Sequence, residues 1–204
     1  MIKAIIFDFG RVISAQKSPS LFRSYEMDLG LLPDSINSIM FDSQIWQETL
    51  LGRNTLEEFW QAIGPELGLN SSEEIVAFRK RYGADETINA DVLKLIQKLH
   101  GHYRLAVLSN APPGLSQWLA EWEILDFFDL VFCSGEEGMV KPDVKPFELT
   151  LERLGVQPGE TVFIDDTMEN VEAAQQLGLH GIVFTTAEAL EEELGHLLAS
   201  ASRG

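Results

Sequence analysis

Asp8 closes the apolar run Ala4-Ile5-Ile6-Phe7 and opens the segment Asp8-Phe9-Gly10-Arg11-Val12. Three more clusters stand far downstream: Ser109-Asn110, Lys141-Pro142-Asp143 and Asp165-Asp166. Asp8, Asp165, Asp166, Ser109 and Lys141 supply carboxylates, a hydroxyl and an ammonium. Carboxylates gathered in one place repel unless a cation neutralises them. A hard cation with oxygen ligands and retained waters points to Mg²⁺. Such an ion screens two anions as they approach, a carboxylate and a phosphate. The Ser109 hydroxyl, backbone amides and Lys141 would hold the phosphoryl oxygens and offset charge developing there. Asp8 would attack phosphorus, forming an aspartyl-phosphate that water then hydrolyses. Each cluster alone has a plainer reading. Asp8 suits a turn, Ser109-Asn110 suits local backbone bonding, and Asp165 or Asp166 suits a helix N-cap ahead of Met168.

These residues meet only if the intervening chain brings them to one edge. Residues 3–7, 104–108, 130–133, 161–164 and 181–184 read as short apolar strands. Between the later ones lie helical patterns at 91–99, 115–122, 147–154 and 168–177, with Gly101, Gly155 and Gly178 placed as left-handed C-caps. Thr185-x-x-Glu188 reads as a capping box for a last helix. Strands alternating with helices predict a buried parallel sheet between helical layers, a Rossmann-like three-layer α/β core. In such a sheet functional residues gather at the carboxyl ends of strands, and each chemical cluster follows a strand.

The stretch between the first and second strands is helical in pattern. Phe22, Tyr25, Ile36, Met40, Trp46, Phe59, Trp60, Ile63 and Phe78 fall at packing intervals, and Thr55-x-x-Glu58 reads as a capping box. Residues 14–85 are therefore predicted as a helical insertion, with residues 1–13 and 86–204 forming the core.

Fifteen Lys plus Arg stand against 32 Asp plus Glu, a net charge of −17. That field repels nucleic acid and anionic membrane surfaces, so neither is an expected partner. A lone cysteine, Cys133, excludes an internal disulfide and suits a reducing compartment. Asp8 interrupts an apolar run too short for a secretory h-region, and no stretch is long enough to span a bilayer. A cytoplasmic protein is predicted. The sequence is silent on oligomeric state.

The order Asp-x-x-x-Val, Ser-Asn, Lys-Pro-Asp, Asp-Asp resembles the four motifs of the haloacid dehalogenase-like (HAD) hydrolases, and the insertion resembles that family's helical cap. The resemblance spans nearly the whole chain. It implies a Mg²⁺-dependent phosphatase of small phosphorylated metabolites. Asp8 would be nucleophile and metal ligand, with the backbone carbonyl of Gly10 a second ligand. Ser109 and Asn110 would bind phosphate, and Lys141 would pair with both phosphate and nucleophile. Asp166 would be the direct metal ligand of its pair, and Asp165 the supporting one.

One position departs from the pattern. Phosphatases of the family usually carry an aspartate two residues after the nucleophile to protonate the leaving oxygen; here that residue is Gly10. The expectation shifts towards substrates with good leaving groups, sugar phosphates esterified at the anomeric position among them, and away from phosphomutases. The alternative is a catalytically weak binding or interaction protein on the same fold. Haloacid dehalogenase activity is disfavoured by Asp165-Asp166, since those enzymes resemble this chain at the nucleophile but need no metal. Arg11 could meet phosphate, or point to solvent or towards the insertion. Trp118 and Trp122 read as packing residues. Arg23, Arg53, Trp46 and Trp60 are candidate specificity residues of the insertion, each also readable as a surface charge or core aromatic.

Overall fold

A computed structural model describes residues 1–201. Five strands form one sheet: β1 (Ala4–Phe7), β2 (Arg104–Ser109), β3 (Leu130–Cys133), β4 (Thr161–Asp165) and β5 (His180–Val183), in the order β3-β2-β1-β4-β5. Every pairing is parallel. β1 is central and buried on both faces, which is why it reads as an unbroken apolar run. Its side chains alternate between two cores. Ile5 and Phe7 join Leu105, Val107, Val162 and Ile164 on one face, while Ala4 and Ile6 join Ala106, Leu108 and Phe163 on the other.

Helices cover both faces. One core includes side chains from α6 (Ala90–Leu99), α7 (Leu115–Glu121) and α11 (Ala187–Ala201); the other takes them from α9 (Val144–Leu154) and α10 (Met168–Gln176). A single turn, α8 (Ser134–Glu137), follows β3. The last helix begins one residue later than its apparent box. Thr186, not Thr185, accepts the Ala189 N–H at 3.1 Å, so the Thr185–Glu188 capping box does not form.

Between β1 and α6 lie α1 (Pro19–Leu29), α2 (Ile36–Phe41), α3 (Gln44–Leu50), α4 (Leu56–Ile63) and α5 (Ser72–Ala84). They enclose a separate apolar cluster around Tyr25, Ile36, Met40, Phe59, Trp60 and Phe78. The Thr55–Glu58 capping box forms, and a second at Ser71–Glu74 opens α5. Two adjacent linkers join this helical unit to the sheet. Ser14 bridges Ile88 in antiparallel fashion, flanked by Ala15 N–H to Thr87 O at 2.7 Å and Asn89 N–H to Ile13 O at 2.8 Å. Beside them Lys17 pairs with Glu86 and sits 4.4 Å from the Tyr82 ring.

Candidate metal and phosphate site

Because the strands run parallel, their carboxyl ends share one edge, and the four clusters converge there. Asp8 leaves β1 with its N–H bonded to Ile164 O of β4 at 2.8 Å. Carboxylate oxygens of Asp8, Asp165 and Asp166 lie within 4.8 Å of one another. Lys141 comes from the loop before α9 and is buried; its ammonium donates to Asp8 Oδ1 at 2.8 Å and to Asp165 Oδ2 at 2.5 Å. Its charge also stands 5.3 Å from the Phe163 ring centroid.

The paired aspartates differ in what surrounds them. Asp165 is 1 % exposed and accepts from Lys141, from Thr167 N–H at 2.8 Å and from Asn170 Nδ2 at 3.0 Å. Its oxygens are occupied. Asp166 is half-buried and meets Arg11 Nη1 at 2.9 Å and the Thr167 hydroxyl at 3.4 Å. Neither aspartate caps α10, whose N-cap residue is Thr167. Asn170 is a positioning residue that motif reading missed; the available signal was a poor helix former in the first turn of α10.

Ser109 ends β2 and is buried, and its hydroxyl acts to lower the Asp8 carboxyl. Asn110 has another task for its side chain. Its Nδ2 donates to Lys141 O and its Oδ1 accepts from Lys141 N–H, both at 2.8 Å. That reciprocal pair fixes the lysine's loop across 31 residues of sequence, and leaves Asn110 the second Nδ2 hydrogen and its main chain as further donors.

Burial pushes the Asp8 carboxyl up to about 6; Asp165 adds to the rise, while Lys141 and Ser109 pull against it. Lys141 runs the other way. Burial disfavours its charge, but Asp8 and Asp165 together outweigh that and hold it above the ordinary lysine value. Burial also raises Asp166, opposed by Arg11 and assisted by Asp165. Three carboxylates against the Lys141 ammonium and the Arg11 guanidinium leave net negative charge in a confined space, and the donors are oxygens alone. That composition fits a hard divalent cation such as Mg²⁺.

Position 10 has ordinary backbone angles, φ −64° and ψ 127°. A Cβ there would come no closer than 3.7 Å to Asp8 Oδ2, so the backbone at position 10 admits a side chain's first carbon. Arg11 points neither to open solvent alone nor to the helical unit; it pairs with Asp166. Trp118 and Trp122 pack on Phe9, with ring centroids 6.4 and 5.5 Å away, steadying the turn after Asp8. Trp60 is buried among the helical unit's aromatics, and Trp46 packs on Phe41 and Phe59. Arg23 pairs with Asp34 at 3.5 Å. A cavity of about 440 Å³ adjoins Asp166 and Arg11, walled by Gln16, Asn89, Thr185 and Thr186.

Residues 2–178 match the family described as haloacid dehalogenase-like hydrolase. The sesquiterpene phosphatase of Aspergillus oryzae is 30 % identical over 201 residues, covering 96 % of each chain. The D-ribitol-5-phosphate phosphatase of Bacteroides thetaiotaomicron is 27 % identical, covering 87 % of this chain and 89 % of its own. Among solved structures, a HAD family enzyme of Bacteroides thetaiotaomicron in complex with magnesium and inorganic phosphate superposes with a TM-score of 0.73. Its sequence is 25 % identical, and the match covers 91 % of this chain and 95 % of that one.

Proposed function

Since this chain belongs to the haloacid dehalogenase-like hydrolases, we propose that it hydrolyses a small phosphorylated metabolite through an aspartyl-phosphate on Asp8. It is a phosphatase with Mg²⁺ as its cofactor. The observation that carries the residue roles is the meeting of Asp8, Lys141, Asp165 and Asp166 at one sheet edge. Asp8, Asp166 and the Gly10 carbonyl would hold the ion, with Asp165 orienting Lys141. When bound, Mg²⁺ supplies positive charge to the phosphoryl group and its attacker.

Asp8 is the nucleophile, and Lys141 at 2.8 Å keeps it aimed and offsets the charge of the incoming phosphate. Ser109 and main-chain amides at positions 9, 10 and 110 receive the phosphoryl oxygens. Asn110 holds Lys141 in register. The helical unit, joined by the two linkers, acts as a cap that limits water around the acyl-phosphate. With no acid at position 10, the leaving oxygen departs unaided, which favours sugar phosphates whose leaving group is stable as an anion. The D-ribitol-5-phosphate and sesquiterpene phosphatases among the relatives make polyol and terpenyl phosphates, whose alkoxide leaving groups are poorer, the classes to screen beside these.

Release of p-nitrophenol from p-nitrophenyl phosphate, with and without Mg²⁺, tests the chemistry. Metal-dependent release lost in Asp8→Asn is the expected result; full release from that variant would overturn it. The second reading is a binding protein on this fold, and Gly10 is the observation that favours it. On that reading phosphate and Mg²⁺ raise the melting temperature without turnover.

A further inference from the structure

Lys141 and Arg11 divide the acidic cluster between them. The Lys141 ammonium is shared by Asp8 and Asp165. The guanidinium that touches Asp166 belongs to Arg11, at 2.9 Å. Arg11 is held by a fixed turn: φ is 61°, its N–H donates to Ser14 Oγ at 3.2 Å, and Ser14 N–H donates to Phe9 O at 2.8 Å. A non-glycine residue in this region is uncommon and strained, so the turn aims a side chain that the local backbone would rather not carry. That side chain remains 60 % exposed. Beside it lies the cavity walled by Gln16, Asn89, Asp91, Thr185 and Thr186.

We propose that Arg11 is a built-in counter-ion that shares Asp166 with Mg²⁺. It occupies the carboxylate while the metal is absent, lowers metal affinity by competing for it, and turns towards the cavity once the ion is bound. The proposal rests on the reading that Asp166 is a metal ligand. Its physical basis is the repulsion between a guanidinium and a divalent ion on one carboxylate, which is strong in a half-buried setting and leaves the looser cation to move. Lys141 is not the one to move, being buried between two carboxylates. Thr167, the other partner of Asp166, is neutral and offers no such competition.

The test is Mg²⁺ titration of the wild type, Arg11→Gln, Arg11→Lys and Asp166→Asn at constant ionic strength, followed by thermal shift and calorimetry. A partly exposed ion pair changes an equilibrium constant by about two- to fivefold. Arg11→Gln is expected to bind Mg²⁺ tighter by that factor, with Arg11→Lys between it and the wild type. Arg11→Gly, which also relaxes the turn, must shift affinity in the same direction. Unchanged or weaker Mg²⁺ binding in Arg11→Gln and Arg11→Gly would overturn the proposal and make Arg11 a positioning or idle residue. If Asp166→Asn binds Mg²⁺ as the wild type does, the metal-site reading fails first, and this inference with it.

Discussion

Lys141 stands 2.8 Å from Asp8, yet burial still raises the Asp8 carboxyl to about 6. Its ordinary value of 3.8 serves for the unfolded chain. Between these values the folded state binds more protons than the unfolded one. The favourable contribution is complete below the unfolded value and disappears as pH rises through about 6. At neutral pH the ionised carboxylate is therefore unfavourable to the metal-free fold. Asp8→Asn removes that charge while keeping an acceptor for Lys141. Without metal it is expected to melt several degrees above the wild type at pH 7 and level with it near pH 4. Saturating Mg²⁺ should reverse the order at pH 7, because only the carboxylate attracts the ion. Melting curves across pH, with chelator and with Mg²⁺, decide this; a constant gap between the two proteins would refute it. Gly10 makes a second residue-level case. A Cβ fits there without overlap, so Gly10→Asp should raise hydrolysis of alkyl phosphates by about tenfold or more. Hydrolysis of p-nitrophenyl phosphate should barely change, since its leaving group needs no proton. Equal effects on both substrates would mean the new acid is not protonating the leaving oxygen.

At the scale of elements, the helical unit meets the core where the turn after α3 faces α8. Gly52 has φ 69°, and a Cβ there would overlap the Gly135 carbonyl oxygen; a Cβ on Gly135 would in turn overlap Pro113. Neither backbone gives way easily. Gly52→Ala costs about 1–2 kcal/mol from the left-handed angle alone, and the overlap is relieved by tilting the helical unit off the core. The expected result is a clear fall in kcat/KM with a melting loss of only a few degrees, and faster proteolysis at the linkers. Wild-type kinetics would place the cap contact elsewhere. The strands behind these contacts were legible because each buried parallel strand is an apolar run, and the chemical clusters because three stand at a strand's carboxyl end and the Lys141 loop follows the third strand by way of α8. The linkers between elements were less so. Two adjacent threonines allowed the last helix to start one residue early on paper; geometry chose Thr186. Asn110 gripping the Lys141 backbone, Asn170 supporting Asp165 and Arg11 on Asp166 all depend on loop paths to within an ångström. No spacing along the chain encodes those pairings.

The whole molecule carries a net charge of −17, while its substrate is an anion and its cofactor a dication. A uniform negative field would gather Mg²⁺ and turn the phosphate away, so the two ligands should respond to salt with opposite signs. Locally, Lys141 and the bound ion make the site attractive at short range, inside a Debye length of about 8 Å at physiological ionic strength. The remaining acidic surface acts over longer distances and is the part that salt removes. With Mg²⁺ held at saturation, raising ionic strength from about 20 to 200 mM is expected to increase kcat/KM for a phosphorylated substrate about two- to threefold. The gain should come through KM, since kcat is set inside the closed site where mobile ions do not enter. Apparent Mg²⁺ affinity should fall over the same range. Steady-state kinetics at several NaCl concentrations separate the two effects. If kcat/KM instead falls with salt at saturating metal, attraction by the lysine and the ion extends beyond the mouth of the site, and the acidic surface plays no part in substrate approach.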